Sequence, residues 1–383
     1  MTGAASAALA PAVGSGADRE GWRWPSVLGA FALSRLVTLV AAGLVAAVHH
    51  HRIELTFRVL ATWDGFWYLN LAKHGYPHAV PPGSGQHAAS TLAFFPLYPL
   101  LVRLVHAVLP VSWLTAGLIV SWAAGAAATL AVWRLARLVM GDVAGDRAAV
   151  AFAFFPGAFV LSMAYAEGLM ILLAALCLHA LLRRRWVVAG VAAALATATR
   201  PNALALVAAC AVAGWMAWRA TGERRAARAI MLAPAGAAAF FVFLWVHTGS
   251  PLTWFHAEHA GWQQGTDFGL ATMQTVGTFL LAPFHNPQVT LVVATLAGSV
   301  VLARLVWRQR LPLELVVYTA TVLFLCFGSS SLGGRPRFVL AAFPLVFPLA
   351  RLPRRAFAVW MVLSTLGMAF LLWFAGTQLL VAS

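Results

Sequence analysis

Apolar segments recur along the whole chain, and short polar stretches that hold most of the charged residues separate them. Most of these segments are close to the ~20 residues that an α-helix needs to cross the hydrocarbon core of a bilayer. The pattern therefore predicts an all-α polytopic membrane protein. Crossings are expected at residues 25–48, 112–139, 148–165, 168–182, 186–199, 202–218, 229–247, 288–306, 311–328, 336–350 and 356–380.

The composition leaves little room for another class of protein. Hydrophobic residues make up 62% of the 383 residues, charged residues only 10%, and the mean hydropathy is +0.83. No soluble domain of ordinary size fits between the apolar segments, so we expect residues 25–383 to form a single transmembrane domain. Residues 1–24 are rich in Ala, Gly and Ser, which predicts a disordered cytoplasmic tail. The run 25–48 is too long for the core of a signal peptide.

The distribution of charge predicts the orientation. The net charge of +15 comes from arginine clusters between the apolar segments, which is typical of the positive-inside rule and not of nucleic-acid binding. Segment 92–109 could be a span or a re-entrant or interfacial helix, because it contains Pro96, Pro99, Arg103 and His106. If it does not cross, most basic residues lie with the N-terminus on the cytoplasmic side, whereas most lie outside if it crosses. We therefore expect about eleven crossings. The large outer loops are then 49–111, carrying amphipathic or re-entrant helices, and 248–287. This topology also requires the short segment 186–199 to cross.

Few acidic residues are available for chemistry on the outer side. In this topology the outer acids are Glu54, Asp64, Glu167, Glu258 and Asp267, while the others lie inside among arginines. Asp64 stands out because aromatic residues typical of a membrane interface flank it: Trp63, Phe66, Trp67 and Tyr68. Partial burial beside these rings would raise the pKa of Asp64 and suit it to act as a general base. Alternatively, Asp64 only caps the helix that follows.

Several other residues are candidates for binding. Arg200 and Arg337 lie next to prolines near the outer ends of spans, where a guanidinium could bind a lipid phosphate or simply reach the headgroups. Arg335 is expected to be the more exposed of its pair. Arg35 lies within a span and is expected to organise the bundle. Glu167 could bind substrate hydroxyls or cap a helix.

Metal and nucleotide sites are not indicated. The histidines match no metal-ligand spacing, Asp64 has no second aspartate nearby, and no Walker A, GxGxxG or GxSxG motif lies in a credible position. Cys177, Cys210 and Cys326 lie within apolar runs and are expected to be buried thiols. We therefore expect no cofactor and no metal, and a membrane-borne substrate rather than a nucleotide.

Several motifs resemble a known family. The first is Trp63-Asp64 with Trp67-Tyr68-Leu69 and His74-Gly75-Tyr76, followed by Phe94-Phe95-Pro96-Leu97-Tyr98-Pro99-Leu100. This stretch resembles the PIG-V-type mannosyltransferases of the GT-C superfamily. Tyr165-Ala166-Glu167 is similar to that family's Tyr-Ser-Glu turn, with Ala in place of Ser. Weaker similarities are Arg200-Pro201-Asn202, Arg335-Pro336-Arg337-Phe338 and Phe343-Pro344. The motifs cover most of the chain in the right order.

The resemblance implies a GT-C-like bundle and an enzyme that takes a sugar, usually mannose, from a polyprenyl-phosphate carrier on the non-cytoplasmic face. It implies Asp64 as the catalytic base, and we expect inverting transfer with Arg337 and Arg200 stabilising the phosphate. The further candidates for substrate or phosphate contact are Glu167, Lys73, His74, Trp63, Trp67 and Tyr68.

The sequence leaves the acceptor and the class of function open. The acceptor could be a lipid, a protein or a glycan. The Ala- and Arg-rich composition suggests a high-GC bacterium, and therefore a bacterial plasma membrane. The competing hypotheses are a transporter or flippase of lipid-linked sugars, which would use the same arginines but no base, and a non-catalytic assembly partner.

Overall fold

The computed structural model describes residues 23–50 and 52–378. The predicted N-terminal tail lies almost wholly outside these residues. Within them the regular structure is helical, and the only β-type pairing is an isolated bridge between Thr266 and Ser329. The fold class predicted from the apolar pattern is therefore confirmed at the level of an all-α protein.

The helices follow one another with short connections. The α-helices of the first half are α1 (Trp24–His50), α2 (Thr56–Val59), α3 (Asp64–His74), α4 (Leu97–Val108), α5 (Trp113–Met140), α6 (Asp142–Ala153), α7 (Glu167–Leu182) and α8 (Trp186–Thr197). Those of the second half are α9 (Ala205–Thr221), α10 (Ala227–Leu232), α11 (Ala235–Thr248), α12 (Thr253–Trp262), α13 (Leu270–Leu281), α14 (Pro287–Arg308), α15 (Leu313–Phe327), α16 (Arg335–Val339) and α17 (Arg354–Gln378). Short 3₁₀ helices cover Ile53–Leu55, Gly85–Ala88, Thr91–Ala93, Pro156–Ser162, Pro201–Leu204, Arg224–Ala226, Phe343–Val346 and Pro348–Arg351.

Length and composition identify the helices that can cross a membrane. Among the described residues, six helical stretches qualify: Trp24–Val48, Trp113–Met140, Pro201–Thr221, Arg224–Thr248, Pro287–Arg308 and Arg354–Thr377. A bent pair of helices would add a seventh. The remaining apolar helices are shorter. The chain is thus a multi-pass membrane protein, and the number of eleven crossings stays a prediction.

The bent pair replaces the continuous span predicted at 148–165. Helix α6 ends at Ala153, and the 3₁₀ helix Pro156–Ser162 continues at an angle of 72°. Proline has no N–H and its ring clashes with the preceding turn, so a straight helix cannot pass through Pro156. The break leaves backbone carbonyls that need partners in an apolar interior. Arg35 of α1 supplies them, donating to the carbonyl oxygens of Ala153 (3.0 Å) and Ala158 (2.7 Å). The expectation that Arg35 organises the bundle is confirmed.

The predicted span at 336–350 is wrong as a continuous helix. Three prolines, Pro336, Pro344 and Pro348, divide it into α16 and two 3₁₀ helices. Irregular backbone at membrane depth is tolerated where protein buries it. Here residues 339–350 are buried, and the Tyr318 hydroxyl donates to the Ala341 carbonyl (2.8 Å). The interruption lets α16 end in the interior instead of continuing as a span.

Helices α3 and α4 pack together in the first large loop. Helix α4 has 12 residues and is therefore about 18 Å long, which is too short to cross the ~30 Å hydrocarbon core as a straight helix. Arg103 of α4 donates from Nε to the Ala72 carbonyl in α3 (2.8 Å). Tyr98 donates to the Gly117 carbonyl in α5 (3.0 Å). These bonds fix α3 against the membrane helices.

Gly157 lies where the Pro156–Ser162 helix passes closest to α16. A Cβ at this position would collide with the Pro336 carbonyl oxygen and lie 3.3 Å from the Arg337 Cα. Since backbone atoms cannot turn aside as a side chain can, Gly157→Ala is expected to lower the free energy of unfolding by about 1–3 kcal/mol. The melting temperature of the detergent-purified protein measures this. Gly298→Ala in α14, where a Cβ meets nothing within 4 Å, is the matched control, and equal melting temperatures of the two variants would contradict the prediction.

Candidate active site

Asp64 is the first residue of α3 but does not cap it. The N-cap residue is Trp63, whose backbone has φ 57° and ψ −124°, a left-handed conformation that a large side chain rarely adopts. The Trp63 indole donates to the Ala375 carbonyl in α17 (3.2 Å) and so anchors the start of α3. The alternative that Asp64 serves as the helix cap is wrong. Its carboxylate is free to face the arginines described next.

Two arginines hold the Asp64 carboxylate. Arg337 donates from Nη2 to Oδ1 at 3.0 Å, and Nη1 of Arg200 lies 3.6 Å from Oδ2. Burial by itself would raise the pKa of Asp64, but the positive charges of Arg337 and Arg200 outweigh it and hold the pKa below its ordinary value. The sequence-based expectation of a raised pKa is therefore wrong, because it included the aromatic neighbours and not the arginines. Asp64 is ionised at neutral pH.

Arg200 links Asp64 to a second carboxylate. It follows α8 in an extended conformation, next to Pro201, and is itself buried. Its Nη1 lies 3.0 Å from Oε1 of Glu167 and donates to the Tyr68 hydroxyl at 3.3 Å. Glu167 is only 2% exposed. A single guanidinium thus joins groups from α3, α7 and the end of α8.

The turn before Glu167 does not need a serine at position 166. Ser121 of α5 accepts from the Tyr165 N–H (3.0 Å) and lies 3.1 Å from the Tyr165 carbonyl oxygen, to which it donates. The Tyr165 hydroxyl donates to the Thr62 carbonyl (3.1 Å), two residues before Asp64. These bonds position Glu167 and the start of α3 together, although Ala166 contributes none of them.

Three arginines surround one aromatic ring. The guanidinium carbons of Arg200, Arg335 and Arg337 lie 5.6, 5.5 and 4.6 Å from the centre of the Phe338 ring, within the range of cation–π attraction. Arg335 is 2% exposed and lies against the Cys326 thiol. The expectation that Arg335 is the more exposed of its pair is wrong, because α16 starts in the interior and carries the residue inward.

This arginine cluster has hydrogen-bond donors to spare. Among the described residues, Nε and Nη2 of Arg335 and the Nε atoms of Arg200 and Arg337 are buried without a hydrogen-bond partner. Buried donors are nearly always satisfied in proteins, so unsatisfied ones call for an explanation. Guanidinium N–H groups in this number suit a phosphate. The alternating Arg-Pro-Arg-Phe motif was the sequence signal for this cluster.

The site opens into a cavity of about 120 Å³. The lining residues include Asp64, Tyr68, Phe94, Arg200, Asn202, Glu258, Trp262, Gln264, Cys326, Arg335, Arg337 and Phe338. Glu258 comes from α12, in the second large loop. Burial, reinforced by the charge of Asp64 and opposed by Arg200, raises the pKa of Glu258 to about 8. In the sequence, Glu258 is only one of the five outer acids, and no motif there indicates a role for it.

The remaining predicted site residues lie elsewhere. Lys73 and His74 are exposed at the far end of α3, about 14 Å along the helix axis from Asp64. His74 hydrogen-bonds Asn70 on its own helix (2.6 Å). Trp67 packs against the lining residues Phe94 and Trp262 but does not itself line the cavity. The structure thus brings together Asp64, Tyr68, Glu167, Arg200 and Arg337, and it does not bring Lys73, His74, Trp63 or Trp67 into the cavity.

Two solved structures share this fold. ArnT from Cupriavidus metallidurans bound to undecaprenyl phosphate matches with a TM-score of 0.53 and 14% identity over 91% of this chain and 64% of its own. The oligosaccharyltransferase AglB from Archaeoglobus fulgidus, in complex with an inhibitory peptide and a dolichol-phosphate, matches with a TM-score of 0.52 and 16% identity over 92% of this chain and 56% of its own. The chain spans less than two thirds of either protein. Both are GT-C enzymes, so the likeness shows the predicted type of fold.

The sequence itself gives the family. No curated protein matches the chain. The family model described as Mannosyltransferase (PIG-V) matches residues 28–253, more than half of the sequence, and includes Asp64, Glu167 and Arg200. The chain therefore belongs to the PIG-V mannosyltransferase family.

Proposed function

We propose that the protein is an inverting glycosyltransferase that moves a sugar, mannose in the first instance, from a polyprenyl-phosphate carrier to an acceptor hydroxyl. One observation carries this proposal: in a cavity, an ionised aspartate lies beside two buried arginines and the half-buried Arg337, and all three have unused donors. Family membership supports the sugar, and the polyprenyl phosphates bound by ArnT and AglB support the carrier. Transfer from polyprenyl-phosphate mannose by the purified protein, and its loss in Asp64→Asn, tests the proposal.

The charge of the cavity supports a phosphodiester donor. Asp64 offsets one of the three guanidinium charges, and the almost fully buried Glu167 offsets at most a second. Glu258 is mostly protonated at pH 7 because its pKa is about 8. At least one positive charge remains unbalanced. A polyprenyl-phosphate sugar carries one negative charge, so its binding offsets this charge and fills the unused donors of Arg335 and Arg337.

The proposed reaction is a single displacement. The acceptor oxygen forms a bond to the anomeric carbon as the bond from that carbon to the phosphate oxygen breaks, and the electron pair leaves with the phosphate. The acceptor proton passes to an Asp64 carboxylate oxygen. Arg337 and Arg335 stabilise the charge that grows on the phosphate. A phosphate is a weak base, so the leaving group needs no proton.

The low pKa of Asp64 in the free site is compatible with the role of base. A bound phosphate competes for Arg337 and Arg200, and its negative charge opposes theirs at the carboxylate. Both effects raise the pKa of Asp64 toward the range where it can accept a proton. Substrate binding itself thus activates the base.

The proposed setting is a bacterial plasma membrane with the N-terminus in the cytoplasm. Eleven crossings would place the Asp64 cavity on the non-cytoplasmic face, with residues 25–383 forming a single transmembrane glycosyltransferase domain. The segments that follow α8 and α15 both lie at the cavity. This supports the arrangement, since eleven crossings would place both segments on the non-cytoplasmic side.

Glu258 is expected to limit activity at alkaline pH. Its pKa of about 8 means that the carboxyl is neutral below this pH and ionised above it. Ionisation adds a negative charge beside Asp64 and repels the donor phosphate, so the rate should fall as pH rises through about 8. In Glu258→Gln the ratio of kcat/KM at pH 9 to that at pH 7 should rise several-fold over wild type. Glu314→Gln, at the start of α15 and outside the cavity lining, is the control. An unchanged alkaline limb in Glu258→Gln would refute this role.

A further inference from the structure

A second, larger cavity lies at the opposite end of the bundle. It has a volume of about 660 Å³ and is lined by Trp24, Trp133, Arg134, Arg137, Leu138, Asp142, His179 and Arg183. These residues come from the start of α1, the end of α5, the start of α6 and the end of α7. The active-site chemistry uses none of them.

Helices α5 and α7 both extend from the active site to this second cavity, so their lengths give the distance between the two. In α7, Glu167 touches Arg200 at one end, and Arg183 follows the other end. In α5, Ser121 bonds Tyr165 near one end, and Arg137 lies near the other. Each pair is 16 residues apart in sequence, or about 24 Å along the helix, which approaches the ~30 Å thickness of a bilayer core. The basic cavity therefore lies at the other membrane interface, the cytoplasmic one in the proposed orientation.

Among the described residues, the carboxylates at this second cavity do not balance the charges of its arginines. Arg137 is paired with Asp142 (2.7 Å), and the Trp133 indole donates to Asp146 (2.8 Å). In contrast, Arg134 and Arg183 are exposed, and within residues 23–50 and 52–378 neither has a carboxylate partner. The positive charges of Arg134, Arg183 and Arg185 all lie near His179. The cavity therefore attracts an anion.

The surroundings favour a lipid over a soluble anion. The Trp24 side chain is 59% exposed at the mouth of the cavity, and indoles prefer the headgroup level of a membrane. Further along α1, Leu33, Leu36 and Val40 are each more than half exposed, so this helix offers an apolar surface to acyl chains. Volumes of this order hold small ligands of headgroup size. Paired arginines match phosphate oxygens.

We infer that this cavity binds the phosphate headgroup of an anionic phospholipid from the cytoplasmic leaflet, with Arg134 and Arg183 as its ligands. The bound lipid ties the ends of α1, α5 and α7 together at the interface. The site is independent of the sugar-transfer chemistry, since the two cavities lie a bilayer apart.

Native mass spectrometry of the full-length protein tests this inference. Wild type is expected to retain phosphatidylglycerol in preference to phosphatidylcholine, and R134Q/R183Q to lose about tenfold or more of this preference. R225Q/R228Q, which removes the same charge from the same end of the bundle but outside the cavity, is the matched control and should behave as wild type. Gel filtration confirms that both variants fold.

Two results would overturn the inference. One is equal lipid preference in R134Q/R183Q and R225Q/R228Q, which would mean that general surface charge is responsible. The other is displacement of the lipid by millimolar inorganic phosphate, which would mean a site for a free anion. Neither result depends on glycosyltransferase activity, so failure here is distinct from failure of the proposed reaction.

Discussion

Asp64→Asn is expected to reduce the rate of sugar transfer by about 10²–10⁴-fold, the usual contribution of a general base. Asparagine has nearly the shape of aspartate, so α3 should keep its position, but the amide cannot accept the acceptor proton. The substitution also removes the negative charge that Arg337 and Arg200 face at 3.0 and 3.6 Å. The donor phosphate should therefore bind at least as tightly as in wild type while turnover collapses.

Initial rates with polyprenyl-phosphate mannose and a series of acceptors measure this effect, with donor binding measured separately. Asp267→Asn provides the control, because this carboxylate accepts backbone bonds at the start of α13 (2.8 and 2.9 Å) and is outside the cavity lining. Full transfer activity in Asp64→Asn would refute Asp64 as the base. If wild type and Asp64→Asn both move lipid-linked sugar across a vesicle membrane but transfer none, the transporter hypothesis is supported instead. If both proteins are inactive in the transport assay and in the transfer assay, the assembly-partner hypothesis is supported.

Arg337→Met is expected to lower kcat/KM by about 10²–10³-fold, the range seen when one charge-stabilising donor is removed. Arg337 makes the closest contact with Asp64 and lies over both Tyr165 and Phe338. Methionine fills much of the same volume, so the loss reports charge and hydrogen bonding more than packing.

The same variant should also shift the pH profile. In wild type the arginines hold the pKa of Asp64 below its ordinary value, so the base stays ionised as the pH falls. Without Arg337 the raising effect of burial is opposed only by Arg200, the pKa of Asp64 rises, and the acid limb of kcat/KM moves to higher pH. Arg337→Lys, which keeps the charge but not the planar fork, should shift less. Arg58→Met, at an exposed position on α2, is the control. An acid limb that stays in place in Arg337→Met would exclude this pairing from the mechanism.

The sequence predicted which residues form the site better than it predicted the surroundings of each residue. Counting charges left five outer acids, and the motif around Trp63 singled out Asp64. The pKa was predicted in the wrong direction because Arg337 is 273 residues from Asp64 in the chain, and no local pattern reveals such a partner. Lys73 and His74 are near Asp64 in the sequence, but a helix carries residues apart at 1.5 Å per residue.

Proline positions account for most of the differences in the fold. The apolar pattern at 148–165 and 336–350 is that of a span, and hydropathy alone does not show where a chain bends. In the structure, Pro156 and Pro336 mark the start of short helices, and these two places meet where Gly157 lies against Pro336. The interrupted helices position Arg335 and Arg337 in the interior, where a continuous span would have carried them to its end.

The sequence by itself determined the membrane class, the all-α fold and the family, and it singled out Asp64 as the candidate base, because hydropathy and short motifs are local properties of the chain. Only the tertiary structure decided which charges meet. It placed Arg200, Arg335 and Arg337 around Phe338, added Glu258 to the same cavity, and set a separate basic cavity at the far end of α5 and α7. Coulomb energy depends on distance in space and on burial, and neither can be read from order along the chain.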